Sequence, residues 1–350
     1  MSRRPTVVVN TAIYLHGTSG SATATRELVG ALRTLPDVDV HEVAPKSRGG
    51  RSSVLNALAD ARWDLWQAAR ALPQVDLLVS PVNIGLRGRA RRHLLVLHDV
   101  MAIERPELFD RKFALYFRLL VPASVRSADR VLTLSERVAA AVRRLDDGAD
   151  VRVISWSHAG GTAVRARFPV EQPTVLMVGA TDPVKNQVAG ISAVAEVRRR
   201  SGRDIRLRLL GPVGRAEGDV RAALALEDPR GVWSSREVDV PVEQLRAAYA
   251  SAWCLLQPSH DEGFGLPLVE AARHSLPVVH SGRGAMPHVL PEVDAGGVDA
   301  SRLGAAMMPM LDPGCWAEVA DRTYARAADF APEAFHAQIR DAVADLLAPS

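Results

Sequence analysis

The fold predicted for this sequence is α/β, with two Rossmann-like domains facing across a cleft. Three observations predict it. Short, nearly continuous apolar runs alternate with longer segments of helical spacing, the pattern of a parallel sheet covered on both faces. The rhythm stops near Pro169 and then starts again. The length, 350 residues, suits two domains of ~100–200 residues each. The expected division is 1–164, 165–330 and a closing helical segment 331–350.

Thr6–Asn10 (TVVVN) reads as a buried strand, followed by a Gly/Ser/Thr loop containing Gly17 and Gly20 and by a helix, TRELVGALRTL. Val38–Val43 is a second strand. Residues 52–72 have amphipathic helical spacing, with Val54, Leu55, Leu58, Trp63, Leu65, Trp66 and Leu72 on the apolar side. Val75–Ser80, His93–His98, Arg130–Leu134 and Val151–Ile154 continue the strands. In the second half Thr174–Val178 ends at Gly179 and Arg206–Leu210 ends at Gly211. Trp253–Gln257 and Pro277–His280 follow. The carboxyl-terminal stretch has helical spacing, broken at Phe330-Ala331-Pro332, where the proline suits the start of a new helix. Ligands of such sheets sit beyond the carboxyl ends of the strands, so the informative residues should follow strands.

Composition sets bounds. Hydrophobic residues make up 47% and charged residues 24%, as in ordinary soluble proteins. The net charge is +3, and no Lys/Arg tract is interleaved with aromatics, so nucleic acid is not an expected partner. Arg87–Arg92 (RGRARR) is locally basic. It reads as a solvated loop or helix start, or as a contact with lipid headgroups or a phosphorylated acceptor. The tryptophans of 52–72 offer the same pair of readings, core packing or a bilayer surface. Two cysteines, Cys254 and Cys315, give neither a disulfide framework nor a zinc site, and Cys254 in AWCLL reads as buried. The amino terminus lacks a signal-peptide run and no stretch of ~20 apolar residues occurs, so a cytoplasmic protein is expected.

Chemistry concentrates in Asp261–Ala271, DEGFGLPLVEA. Glu262 lies in the loop after the strand Trp253–Gln257. Gly263-Phe264-Gly265 lets the backbone turn tightly, and Pro267 suits a first helical turn. The amino end of that helix presents amide donors and the positive end of the dipole, an arrangement suited to a phosphate. Glu270 lies about one turn inside. Two carboxylates flanking a phosphate grip could hold sugar hydroxyls on either side of a diphosphate.

PSHDEGFGLPLVEAARHSLPVV resembles the E-x7-E signature of the retaining GT-B glycosyltransferases of family four. VLHDVMAIERPELF (96–109), FALYFRLLVPASVRSADRVLTLSE (113–136) and VGATDPVKN (178–186) resemble further segments of that family. The resemblance implies a GT-B fold, with residues 1–164 binding the acceptor, 165–330 binding the nucleotide-sugar, and the last helix crossing back to the first domain. It implies that Glu270 binds the ribose hydroxyls and that Glu262 lies at the donor sugar. Amides around Gly263, Phe264, Gly265 and Leu266 would meet the diphosphate, Lys185 would neutralise it as it leaves, and Gly179 would line the same loop. His98 would reach the sugar, and Gly17 would approach the phosphates or the acceptor. No metal or other cofactor is expected, and no D-x-D follows a strand. Partners would be a nucleotide-diphosphate sugar, a glycan, lipid-linked or small-molecule acceptor, and a peripheral membrane contact. The resemblance to mannosyl- and rhamnosyltransferases points to GDP-mannose, with dTDP-rhamnose and UDP-sugars as alternatives.

Two departures from the family pattern stand out. Ala180 occupies a position where an arginine is common, with Arg283 as a candidate substitute. His288 replaces a carboxylate. A catalytically silent sugar-binding protein is the reading these departures would favour. A nicotinamide-dependent oxidoreductase would need G-x-G-x-x-G after the first strand, and a hydrolase G-x-S-x-G; the sequence has neither.

Overall fold

The computed structural model describes residues 3–16, 20–45, 63, 68, 74–157, 168 and 172–348. Most of the 52–72 segment therefore lies outside the described residues, as does Gly17. The chain divides into two units: 1–159 together with 330–350, and 160–329.

Among the described residues, six parallel strands build the sheet of the first unit, in the order β2-β1-β3-β4-β5-β6. They are β1 (Thr6–Asn10), β2 (Asp39–Val43), β3 (Leu77–Ser80), β4 (Arg92–Leu97), β5 (Arg130–Thr133) and β6 (Val151–Val153). β3 and β5 are buried throughout and β4 from His93 on, which is why they read as continuous apolar runs rather than alternating ones. Helices Gly20–Arg33, Arg111–Ser127 and Glu136–Leu145 connect them. Asp110 caps the second of these by accepting from the amides of Lys112 and Phe113, and Ser135 caps the third through Val138. Arg87–Arg92 is a loop that runs into β4, with Arg87 and Arg92 both paired to Asp129.

The last helix, Pro332–Leu347, belongs to this first unit. Phe335 is fully buried, and its ring lies 4.8 Å from that of Trp156. Arg130, 4% exposed, reaches from β5 to Asp150 at 2.6 Å, to Asp345 at 2.7 Å and to the Ala342 carbonyl. That guanidinium holds the Asp345 carboxyl well below the usual carboxylate range.

Among its described residues the second unit has five parallel strands in the order β11-β10-β7-β8-β9. They are β7 (Thr174–Val178), β8 (Arg206–Leu210), β9 (Ser234–Glu237), β10 (Cys254–Gln257) and β11 (Val278–His280). From β9 the order reads 3-2-1-4-5, so the chain reverses direction across the sheet between β7 and β10. This switch point is where α/β sheets place their ligands. Cys254 and Trp253 are fully buried in the core of this unit with Met177, Ile191 and Leu209. β9, with the sequence SSRE, has no apolar run to announce it. It is an edge strand of intermediate burial, held by Arg208 pairing with Glu237. Among the described residues no helix is long and apolar enough to cross a membrane.

Candidate functional site

β7 and β10 are hydrogen-bonded neighbours, so the loops that leave their carboxyl ends emerge side by side. This adjacency joins residues far apart in sequence. Lys185 ends the short 3-10 turn Pro183–Lys185 after β7, and Glu262 sits in the loop after β10. The Lys185 Nζ donates to Glu262 Oε1 at 2.6 Å. Backbone ties fix the two loops to each other. The His260 amide donates to the Val184 carbonyl at 2.8 Å, and Asn186 Nδ2 donates to the Pro258 carbonyl at 3.0 Å. Asn186 adopts a left-handed conformation (φ 52°), which turns the chain from the lysine loop into the helix Gln187–Ser201.

Glu262 is buried and heavily solvated by protein. Oε1 also accepts from Gln257 Nε2 and Ser259 Oγ, both at 2.7 Å. Every one of these donors falls on Oε1, which leaves Oε2 for a hydroxyl. The neighbouring loop completes the support: the Ala285 amide donates to the Glu262 carbonyl at 2.9 Å, and Gly284 (φ 66°) lies directly against the Glu262 backbone. Gln257, Ser259 and Gly284 carry no local signal in the sequence. Pro258-Ser259 precedes the acidic motif, but the role of the Ser259 hydroxyl as a donor to Glu262 depends on the turn geometry.

Gly265 has φ 95° and stands at the start of the helix Leu266–Arg273, with Pro267 in its first turn. Only glycine adopts that conformation without strain. Gly263, Phe264 and Gly265 are buried, and Leu266 is half-buried. Gly179 has φ 142° and faces the aliphatic stem of Lys185. Ala180 is held by its carbonyl, which accepts from the buried Gln187 side chain at 3.2 Å. Arg283 is exposed between two glycines of positive φ, one residue from the Gly284 contact with Glu262. His288 is exposed on the short helix Met286–Val289.

Glu270 is half-buried one turn into its helix, beside the buried Tyr249. Burial pushes its carboxyl up to about 7, while the neighbouring Tyr249 hydroxyl pulls the other way. The Tyr249 phenol is itself driven well above its ordinary value, first by burial and then by Glu270. Tyr249 belongs to the helix Val242–Ser251, where a sequence reading offers no reason to link it to a carboxylate 21 positions on.

In the first unit, His98 follows β4 and is half-buried. Its amide donates to Asn83 Oδ1 at 2.7 Å, and Nε2 lies 2.7 Å from the Pro81 carbonyl. A carbonyl only accepts, so Nε2 carries the proton and Nδ1 is the acceptor. Burial lowers the imidazole pKa, against the opposing pull of the Pro81 carbonyl. The ring is therefore neutral near pH 7, suited to accept a hydroxyl and unsuited to serve as an acid. Trp156 lies 5.8 Å from it, ring centre to ring centre. Among the described residues, no group of three or more His, Cys, Asp or Glu is placed to hold a metal ion.

Residues 163–298 match the family model described as "Glycosyl transferases group 1". The chain is 28% identical over 275 residues to O-antigen chain mannosyltransferase B of Escherichia coli, covering 74% of this chain and 71% of that one. It is also 28% identical to the D-inositol 3-phosphate glycosyltransferase of Acidothermus cellulolyticus, covering 61% of this chain but only 47% of that protein. With the serotype-specific mannosyltransferase WbdA of Escherichia coli the match spans 27% of the relative. In fold, the chain is similar to sucrose-phosphate synthase from Thermosynechococcus elongatus, with TM-score 0.76, 20% identity, and 99% and 100% of the two chains covered. It is also similar to Anabaena Alr3699/HepE solved with UDP and glucose, with TM-score 0.69, 16% identity, and 97% and 100% covered.

Proposed function

We propose, for this chain as a glycosyltransferase with a group 1 domain, that it moves mannose from GDP-mannose to an acceptor hydroxyl, without a metal ion and with retention of the anomeric configuration. The observation that carries the reading is the Lys185–Glu262 pair at the β7/β10 switch point, directly ahead of a helix amino end. A cation, a hydroxyl acceptor and a set of amides converge there, and these are the groups a sugar diphosphate needs. The mannosyltransferase relatives favour mannose as the transferred sugar.

In this mechanism the bond between the anomeric carbon and the diphosphate oxygen breaks, and the acceptor oxygen bonds to that carbon on the same face. The acceptor proton passes to an oxygen of the leaving diphosphate. Lys185 neutralises the charge that grows on that group, an interaction strongest in the transition state. Glu262, with Oε1 occupied, offers Oε2 to a sugar hydroxyl. The backbone from Gly263 to Leu266 lines the diphosphate, and Glu270 accepts from the ribose hydroxyls. His98, neutral and with Nδ1 as its acceptor, suits a hydroxyl of the substrate. The acceptor is a glycan, a lipid-linked glycan or a small molecule, and the reaction runs in the cytoplasm.

A thermal-shift series with GDP, UDP and dTDP, followed by the matching nucleotide-sugars, tests the reading. The correct nucleotide at about a hundredfold excess over Kd adds ~2.7 kcal/mol of stability. GDP and GDP-mannose are expected to give the largest rise, with mannosyl transfer or slow GDP-mannose hydrolysis alongside. A larger rise with UDP would favour a UDP-sugar donor, the reading suggested by the UDP-bound fold relative. No response to any of the three would remove the nucleotide-sugar assignment.

The position of Glu270 gives this reading a pH signature. Ribose hydroxyls donate to a carboxylate, so binding favours the ionised form of a group whose free-state value is about 7. Nucleotide affinity should fall as pH drops below 7, by up to about tenfold per unit. Glu270→Gln should bind more weakly at pH 8 and lose the part of the pH dependence that the nucleotide's own phosphates do not supply. Stability runs the other way. A raised folded-state pKa contributes stability that is full below the unfolded value of 4.5 and lost as pH rises through 7. Glu270→Gln should therefore melt higher than the wild type above pH 7. Titration calorimetry across pH and melting curves at pH 8 check the two halves, and parallel pH profiles for both proteins would contradict the role.

A further inference from the structure

The helix Arg111–Ser127 buries Ala114, Phe117, Val121, Ser124 and Val125 against the first unit's core. At 3.6 residues per turn the opposite face collects Arg111, Lys112, Leu115, Arg118, Leu119 and Arg126 within about a third of the circumference. Leu115 is 58% exposed and Leu119 63%, the most exposed large apolar side chains among the described residues of this unit. All four cations are exposed, and among the described residues none of them meets a carboxylate. The helix contains no Asp or Glu. At its carboxyl end the Arg87 amide donates to Ser127 Oγ, which brings the exposed Arg89 of the basic loop to the same end.

The acids nearby are already engaged. Asp110 caps the helix, Glu107 pairs with Arg105, and Asp129 pairs with Arg87 and Arg92. The stripe thus presents two leucines framed by unneutralised cations, and its charge selects its occupant. A second copy docked through the same face would set cations against cations. A bilayer bearing negative headgroups offers anions at the level of the arginines and acyl chains at the level of the leucines.

We propose that the outer face of the helix Arg111–Ser127 is a docking surface for an anionic lipid bilayer. The contact is peripheral: the arginines and Lys112 engage headgroups, and Leu115 and Leu119 enter the interface between them. This placement is independent of the donor assignment, because the helix carries none of the residues placed at the nucleotide.

Co-sedimentation of the full chain with vesicles tests it, comparing phosphatidylcholine alone with phosphatidylcholine containing phosphatidylglycerol. Binding is expected to the phosphatidylglycerol vesicles only and to be lost in high salt. R111Q/R118Q/R126Q should lower partitioning by roughly fivefold per cation removed. L115S/L119S should lower it roughly tenfold on the same vesicles. R200Q/R203Q/R230Q removes three exposed arginines of the other unit and should bind like the wild type. All three sets are surface changes, and unchanged melting curves with unchanged nucleotide shifts confirm intact folding. Equal binding to both vesicle types, no binding to either, or full binding by the two helix variants would overturn the proposal. A helix variant that alters oligomeric state but not vesicle binding would assign the face to a protein partner instead. Failure of the nucleotide series would leave the vesicle result unaffected, so the two readings fail separately.

Discussion

Lys185→Ala is expected to lower kcat for sugar transfer by about 100- to 1000-fold, the range for removing one preorganised group from developing charge. On the proposed mechanism KM for the donor should change far less, because the interaction would strengthen as the diphosphate leaves. Lys185 also has a structural partner: it holds Glu262 Oε1 at 2.6 Å alongside Gln257 and Ser259. Removal of the lysine strips a buried carboxylate of its cation, which adds a stability loss of a few kcal/mol at most, since the two neutral donors remain. The two effects separate in one experiment. Steady-state kinetics reads the transition-state loss, and urea unfolding reads the ground-state loss. A kcat within tenfold of the wild type would remove Lys185 from the chemistry. Lys185→Arg is a poor rescue, because the fork of a guanidinium cannot replace a point charge on Oε1.

Gly284→Ala is expected to cost about 2–4 kcal/mol of stability and to weaken donor binding as well. A Cβ at this position would stand 2.5 Å from the Glu262 amide nitrogen, and closer still to the Glu262 carbonyl and Asp261 Oδ1. Backbone cannot swing aside as a side-chain tip can, so the loop carrying Glu262 must move. The protein contains its own control. Gly296 has the same φ, +66°, with nothing within 4 Å of its added Cβ. Gly296→Ala therefore pays only for the left-handed conformation, about 1–2 kcal/mol, and should leave donor affinity untouched. Urea unfolding and nucleotide titration of both variants isolate the contact with Glu262. Equal losses in the two would show that the Gly284 contact does not position that carboxylate.

The fold was legible wherever burial on both faces forces a continuous apolar run. Thr174–Val178 and Arg206–Leu210 were bounded in the sequence as they occur in the structure, and most other strands differ only at their ends. β9 escaped because an edge strand need not be apolar, and Ser234–Glu237 gains its place through pairing with β8. Within the site, Glu262, Glu270, Gly265 and Lys185 were legible as residue types suited to their neighbours in sequence. Their mutual arrangement was not. It follows from strand order, which sets β10 beside β7, and order is written in no local pattern. Gln257, Ser259 and Gly284 were hidden for the same reason, since each acts on Glu262 through a turn or across adjoining loops. The elevated carboxyl of Glu270 needed the burial around it and the approach of Tyr249, neither of which spacing reveals.

The Arg130 clasp has a consequence for biosynthesis. Asp345 is made almost 200 residues after Asp150, which at cellular elongation rates is a delay on the order of 10–40 s. For that interval the first lobe emerges from the ribosome without its closing helix, leaving Trp156 uncovered by Phe335 and Arg130 held by one acid instead of two. The second lobe is one uninterrupted stretch, whereas the first is completed only by residues made after it. A released chain truncated just before Pro332 would carry the whole carboxyl-terminal lobe and an amino-terminal lobe open to chaperones and proteases.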